Sequence, residues 1–229
     1  MDLVTLTDHD SIEGALEIAH LPGTFVSEEV TLVLDAGRQL HLGVFDLSAA
    51  QHERITRLRF DPEGLFAFLA EERIPACLNH PLSALTGRRQ LVDLQVPLRR
   101  LPLVETLNGG MPEGHNEGAR LLARAAGLGA VGGSDSHTLA HVARAFTTVA
   151  GARNKEEFLA GLRRGLTVPC GRSGSYARLT VEVARIFEAG YRDALRSAAR
   201  GLEDPRRLLA LLGLAPFLPL IPAFTAGIH

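Results

Sequence analysis

A chain of 229 residues, 46% of them hydrophobic, is long enough for one domain with a sizeable core and too apolar to be a disordered tail. Its 24 basic and 26 acidic residues leave a net charge of -2, which excludes the long-range field that recruits nucleic acid or anionic lipid non-specifically, so a polyanionic substrate must be held locally. Two distant cysteines, Cys77 and Cys170, with no secretory signal ahead of them, argue against a disulfide framework and for a reducing, cytoplasmic setting.

Short apolar runs then alternate with helical patterns, as in α/β proteins with parallel strands. "DLVTLT" reads as a strand ending in a polar cluster, and "SIEGALEIAH" has helical spacing at Ile12, Leu16 and Ala19. "TFVSEEVTLVL" and "RQLHLGVFDL" read as adjacent strands joined by the turn "DAGR". "DPEGLFAFLAEERI" is a helix with Pro62 in its first turn, and "PACLNHP" a strand stopped by Pro81, with Cys77 as a buried, inert thiol. "LVETLNG" is a strand, "NEGARLLARAAGL" a helix, "GAVGGSDSH" a strand running into glycines, and "NKEEFLAGLRRG" a helix ending on Gly165. The order fits an α/β barrel or an open sheet.

Polar residues at the strand ends carry the chemistry. They are His9 after "DLVTLT", Glu29 in "VSEEVT", His41 in "QLHLGV", His80 after "ACLN", and Asp135 with His137 in "GSDSH". Active sites of α/β barrels gather at the carboxyl ends of strands, and imidazole with carboxylate is a ligand set for Zn, Mn or Fe rather than Ca or Mg. The i, i+2 spacing places Asp135 and His137 on one face of an extended segment. Each residue also has a plainer role available. Asp10 with Glu13 could form a capping box, His41 could bond backbone, Glu28 or Glu29 could be an edge charge, and His80 could be a turn residue. Their joint placement favours metal, because several buried unpaired polar groups would each cost a few kcal/mol.

"TDHDSIEG", the Glu of "EEVT" followed twelve positions later by the His of "LHLGV", then "NHP", "VETLNG" and "GSDSHT", together resemble the PHP family, the polymerase and histidinol phosphatase domain, from about residue 3 to about residue 170. The resemblance implies a distorted seven-stranded α/β barrel with up to three divalent metal ions, which hydrolyses phosphoesters through a metal-held hydroxide. It makes His9, Glu29, Asp135 and His137 catalytic ligands, Glu29 the bridging carboxylate, and His41 and His80 ligands of the second metal. Family members begin with a His-x-His strand, and this sequence starts after it. By ligand count only the second metal, on Glu29, His41 and His80, keeps a full set, and the barrel should be open beside "DLVTLT". The connection between His41 and His80 is also too short for the inserted domain of the family's nucleotide-bisphosphate phosphatases.

Arg88 and its neighbour Arg89, Arg144 and Arg172 are candidate phosphate contacts, since a guanidinium grips phosphate bidentately. Residues 1–175 are expected to form the barrel domain and 176–229 a helical, apolar extension. In the latter "VEVARIFEAGYRDALRSAARG" has an apolar stripe at Val183, Phe187, Gly190, Tyr191 and Ala194. "LLALLGLAPFLPLIPAFTAGI" is uncharged over a membrane helix's length, but Pro216, Pro219 and Pro222 favour packing on the protein or on another copy over peripheral membrane contact. Three readings follow: a phosphoesterase acting on a small phosphomonoester, nucleotide or oligonucleotide; a catalytically impaired metal-binding or regulatory module; and an amidohydrolase-like enzyme acting at carbon.

Overall fold

In the computed structural model, which describes residues 2–34, 37–84, 90–199 and 213, seven helices surround a mixed sheet. Strands β1 (Ser27–Val33), β2 (Gln39–Phe45), β3 (Ala76–Asn79), β4 (Leu103–Asn108) and β5 (Gly129–Gly133) pair in chain order. The first two junctions are antiparallel and the next two parallel. The hairpin expected around the turn at 35–38 is thus β1–β2. The parallel junctions need crossovers, which α4 (Leu91–Arg100) and α5 (Glu113–Ala126) supply. Two strands not expected from the sequence, β6 (Ala145–Thr148) and β7 (Val168–Gly171), form an antiparallel pair beside β5. Thr147 Oγ1 accepts from Gly132 N and Thr167 Oγ1 donates to Ala130 O, which ties the pair to that edge.

The "DLVTLT" segment is only partly strand-like. It runs parallel to residues 24–29 through isolated bridges, Val4 to Thr24 and His9 to Glu29, while the described ladder of the central sheet extends from β1 to β5. Polar and acidic residues at its end break the regular pairing, and Asp10 turns the chain with φ of 51°. Asp10 does not cap the following helix α1 (Glu13–Ile18), whose N-cap is Ile12 without a side-chain bond. Its carboxylate instead accepts from Thr31 N and from Arg59, so the expected capping box gives way to a tie between the first segment, β1 and the end of helix α2 (Ala49–Leu58).

Alternation along the strands divides the sheet into two faces. Val30, Leu32, Leu40, Leu42, Val44, Ala76 and Leu78 are buried against Ile55 of α2, Leu65, Phe66 and Leu69 of α3 (Pro62–Glu71), and Leu94 of α4. The opposite face carries Glu29, His41, Cys77 and Asn79. A smaller cluster of Phe25, Cys77, Leu103, Val131, Leu159 and Leu162 closes this side with α6 (Lys155–Arg163). Gly165 ends α6 with φ of 66°, and Leu166 N reaches back to Gly161 O, the left-handed termination expected there. Helix α7 (Tyr176–Ala199) buries Ala194 and half-buries Val183, Phe187, Gly190 and Tyr191, the stripe read from its sequence. No helix among the described residues is long and apolar enough to cross a membrane, and the apolar run 208–228, apart from Gly213, lies outside them.

Candidate metal centre

Register places the site residues in two rows across β1, β2 and β3. Glu29, Gly43 and Cys77 stand opposite one another, and Thr31, His41 and Asn79 form the next row. His80 follows β3 directly with φ of 24°, a conformation that ordinary residues adopt only where their surroundings impose it. His9 is delivered by its bridge to Glu29, through Asp10 N to Glu29 O at 2.9 Å and Glu29 N to Asp8 O at 3.0 Å.

Four of the six expected ligands converge. Glu29 Oε1 lies 3.0 Å from His80 Nε2 and 3.6 Å from His41 Nδ1, and the two ring nitrogens are 3.4 Å apart. The other carboxylate oxygen, Oε2, lies 3.4 Å from His9 Nε2. Ligand atoms of His9, Glu29 and His41 all fall within 4.8 Å of one another. Donors about 2.0–2.1 Å from a tetrahedral zinc stand about 3.3 Å apart, so the triangle of Glu29, His41 and His80 has the dimensions of one coordination face. The side chains of Glu29, His41 and His80 are 9%, 7% and 8% exposed while that of His9 is 51% exposed, which leaves solvent access on the His9 side. Nitrogen donors around one carboxylate suit Zn, Mn or Fe, and Glu29 presents an oxygen to each side of the site.

Without metal, Glu29 and His80 form a buried ion pair. Burial alone would raise the Glu29 carboxyl, but the hydrogen bond and charge of His80, with His41 and the Asn79 amide adding, bring it down to about 2. Burial would lower the His80 imidazole, but its bond to Glu29 and the charges of Glu29, Asp135 and Glu105 raise it to about 9. Metal-free protein therefore holds a proton on His80 at neutral pH, and a metal must displace it. Zinc binding near pH 7 is expected to release about one proton through this group, and affinity to climb as pH rises toward 9. Calorimetry in buffers of different ionisation enthalpy measures the release, and binding without proton exchange would contradict this assignment of charge.

Asp135 approaches through a relay. Asn108 Nδ2 donates to Asp135 Oδ2 at 3.1 Å and to Glu105 Oε2 at 2.9 Å, and Glu105 Oε2 also accepts His80 N at 2.9 Å. Burial, opposed by His80 and reinforced by Asp135, lifts the Glu105 carboxyl to about 7. Asp135 holds φ of 45°. His137 is exposed on the loop beyond it. That loop is tied to α7, where the buried Glu182 accepts from Thr138 Oγ1 at 3.0 Å and contacts His141 Nδ1. Of the arginines, Arg144 is half-buried with Nη2 3.4 Å from Ser173 O, Arg172 is exposed, and Arg88 and Arg89 lie outside the described residues.

Three participants carry no signal of their own in the sequence: Asn79, Glu105 and Asn108. Glu105 and Asn108 stand in the "VETLNG" strand and Asn79 precedes His80, but the partners that give them meaning come from other strands. The Glu28 or Glu29 ambiguity resolves by face: Glu28 points into the core face and bonds His52 Nδ1 at 2.9 Å.

The fold is a mixed α/β sheet with Glu29 and His41 on adjacent strands and His9 and His80 beside them. Residues 113–167 match the family PHP_C, described as PHP-associated. A two-domain protein containing a predicted PHP-like metal-dependent phosphoesterase from Bacteroides vulgatus ATCC 8482 is similar in structure, with TM-score 0.57 and 16% identity, over 75% of this chain and 56% of that one. PsfC from Pseudomonas syringae PB-5123 is similar at TM-score 0.55 and 18% identity, over 75% of this chain and 78% of that one. The chain thus spans about half, 56%, of the length of the Bacteroides protein. No curated protein matches. The chain is thus similar to these proteins in fold over three quarters of its length, and to the PHP_C family in sequence over residues 113–167.

Proposed function

We propose that the protein is a metal-dependent phosphoesterase built on a distorted PHP-type barrel that lacks its first strand, acting on a small phosphomonoester, nucleotide or oligonucleotide in the cytoplasm. The observation that carries this reading is the triangle formed by Glu29 Oε1, His41 Nδ1 and His80 Nε2, with His9 on the opposite oxygen of the same carboxylate. The Bacteroides neighbour, which contains a predicted metal-dependent phosphoesterase, supports the class.

Divalent Zn, Mn or Fe bound there would supply Lewis acidity and activate water for attack on phosphorus. Glu29 would bridge neighbouring ions, His41 and His80 would fix the buried one, and His9 and Asp135 would face the more open positions. Asn108 and Glu105 hold the Asp135 side in place through the bonds given above. Arg144 would bind the substrate phosphate, since its half-buried guanidinium is partly pre-oriented by Ser173 O. Arg172 and Arg88 remain secondary candidates for the same contact.

The exposed position of His137 favours a second reading, in which fewer ions bind and the domain senses or stores metal without turnover. Phosphate release from a panel of phosphomonoesters and dinucleotides, measured on chelator-treated protein and again after adding Mn or Zn, separates the two. Release that appears only with metal is the expected result. Stoichiometric metal with no release from any substrate favours the second reading, and release unaffected by chelation contradicts the first.

A further inference from the structure

We propose that Asn79 is a positioning residue for Glu29, holding the carboxylate toward His41 and His80 through a gap in the sheet that Gly43 leaves open. The inference rests on the metal reading above and extends it to a side chain that would hold a ligand without touching the metal. Asn79 Nδ2 donates to Glu29 Oε1 at 2.9 Å, and Asn79 Oδ1 lies 2.8 Å from Cys77 Sγ. The orientation of the amide follows from chemistry. An ionised carboxylate only accepts, so the Asn79 atom facing it must be the NH2 group, and the carbonyl oxygen then takes the Cys77 S–H.

Sheet register makes this reach possible. Asn79 belongs to the row of Thr31 and His41, and Glu29 to the row of Gly43 and Cys77, so the amide crosses β2 diagonally to meet the carboxylate. A Cβ on residue 43 would come within 2.9 Å of Asn79 Oδ1 and 3.0 Å of Cys77 Sγ. Glycine at that position therefore keeps the space in which both side chains lie. The oxygen held by Asn79 is the one that faces His80 and His41, so the amide fixes the carboxylate torsion that closes the donor triangle. Outer partners of this kind orient ligands and contribute roughly 10–100-fold to metal affinity.

The test uses the full chain, stripped of metal and titrated with zinc, alongside Asn79→Leu, which matches the size without a donor, and Asn79→Ser, whose donor is too short to reach. Cobalt-loaded protein gives a visible spectrum that reports ligand geometry, and thermal unfolding of the metal-free forms reports structure. Asn79→Leu should bind zinc roughly 10–100-fold more weakly and alter the cobalt spectrum, with metal-free unfolding unchanged. Asn79→Ser, which loses the same bond, should show a change of similar size in the same direction. Parent-like affinity and spectrum in both variants would overturn the proposal. So would an affinity loss that only follows a loss of metal-free stability, since that is the mark of a structural role. His80→Ala identifies which reading has failed. Zinc binding by the parent that His80→Ala removes, but that the Asn79 variants retain in full, defeats the Asn79 inference alone, whereas a parent that takes up no metal defeats both.

Discussion

His80→Ala is expected to empty the buried metal position, whereas His137→Ala leaves most of the metal in place. His80 Nε2 is one corner of a donor triangle whose other corners are Glu29 Oε1 and His41 Nδ1, and three protein ligands are the number that holds a catalytic zinc. Removing one corner leaves two donors, so the loss should exceed the roughly 10–100-fold that deletion of an outer partner causes. His137 is exposed beyond Asp135, and its removal leaves the triangle intact. Elemental analysis of both variants by mass spectrometry decides the matter, and equal metal loss in the two would defeat the ranking.

Glu29→Gln should abolish both metal retention and phosphate release, and it should also change how the metal-free protein responds to pH. The carboxylate is shared by His9, His41 and His80, and an amide would offer one neutral oxygen where two charged ones stood. In the metal-free parent the lowered Glu29 group contributes stability that is present above its ordinary 4.5 and lost as pH falls through about 2. The raised His80 group contributes stability that is present below its ordinary 6.5 and lost as pH rises through about 9. Both contributions are therefore whole between about pH 4.5 and 6.5. Urea unfolding of the metal-free Gln variant should show a smaller decline between pH 6.5 and 9 than the parent, because Asp135 and Glu105 remain beside His80. A decline of the same size in both would show that the pair is not its source.

The parts of this site legible in the sequence are polar residues set in or beside apolar runs: His9 and His80 follow such runs, Glu29 and His41 interrupt them, and the structure brings these four together. What could not be read is whatever depends on register. Asn79 gains its role because β3 lies beside β2 in the one alignment that sets it diagonal to Glu29, and Gly43 matters only because it stands between them. Glu28 and Glu29 are adjacent in sequence and separated only by the side of the sheet each faces. Helix α4 was hidden by Pro97, which interrupts its hydrogen bonding yet is accommodated, with Leu101 N reaching Pro97 O. The short β7 carries Pro169 and ends in glycine, so neither length nor composition marked it as a strand.

A zinc ion bound to this chain is expected to sit among Glu29, His41 and His80. Anomalous X-ray scattering from crystals of zinc-loaded protein, collected on both sides of the zinc absorption edge, tests it most directly. The predicted result is a peak about 2.0–2.2 Å from Glu29 Oε1, His41 Nδ1 and His80 Nε2, joined at higher loading by a second beside His9 on the far oxygen of Glu29. A peak confined to surface histidines such as His137, with the three buried donors still bonded only to one another, would contradict it.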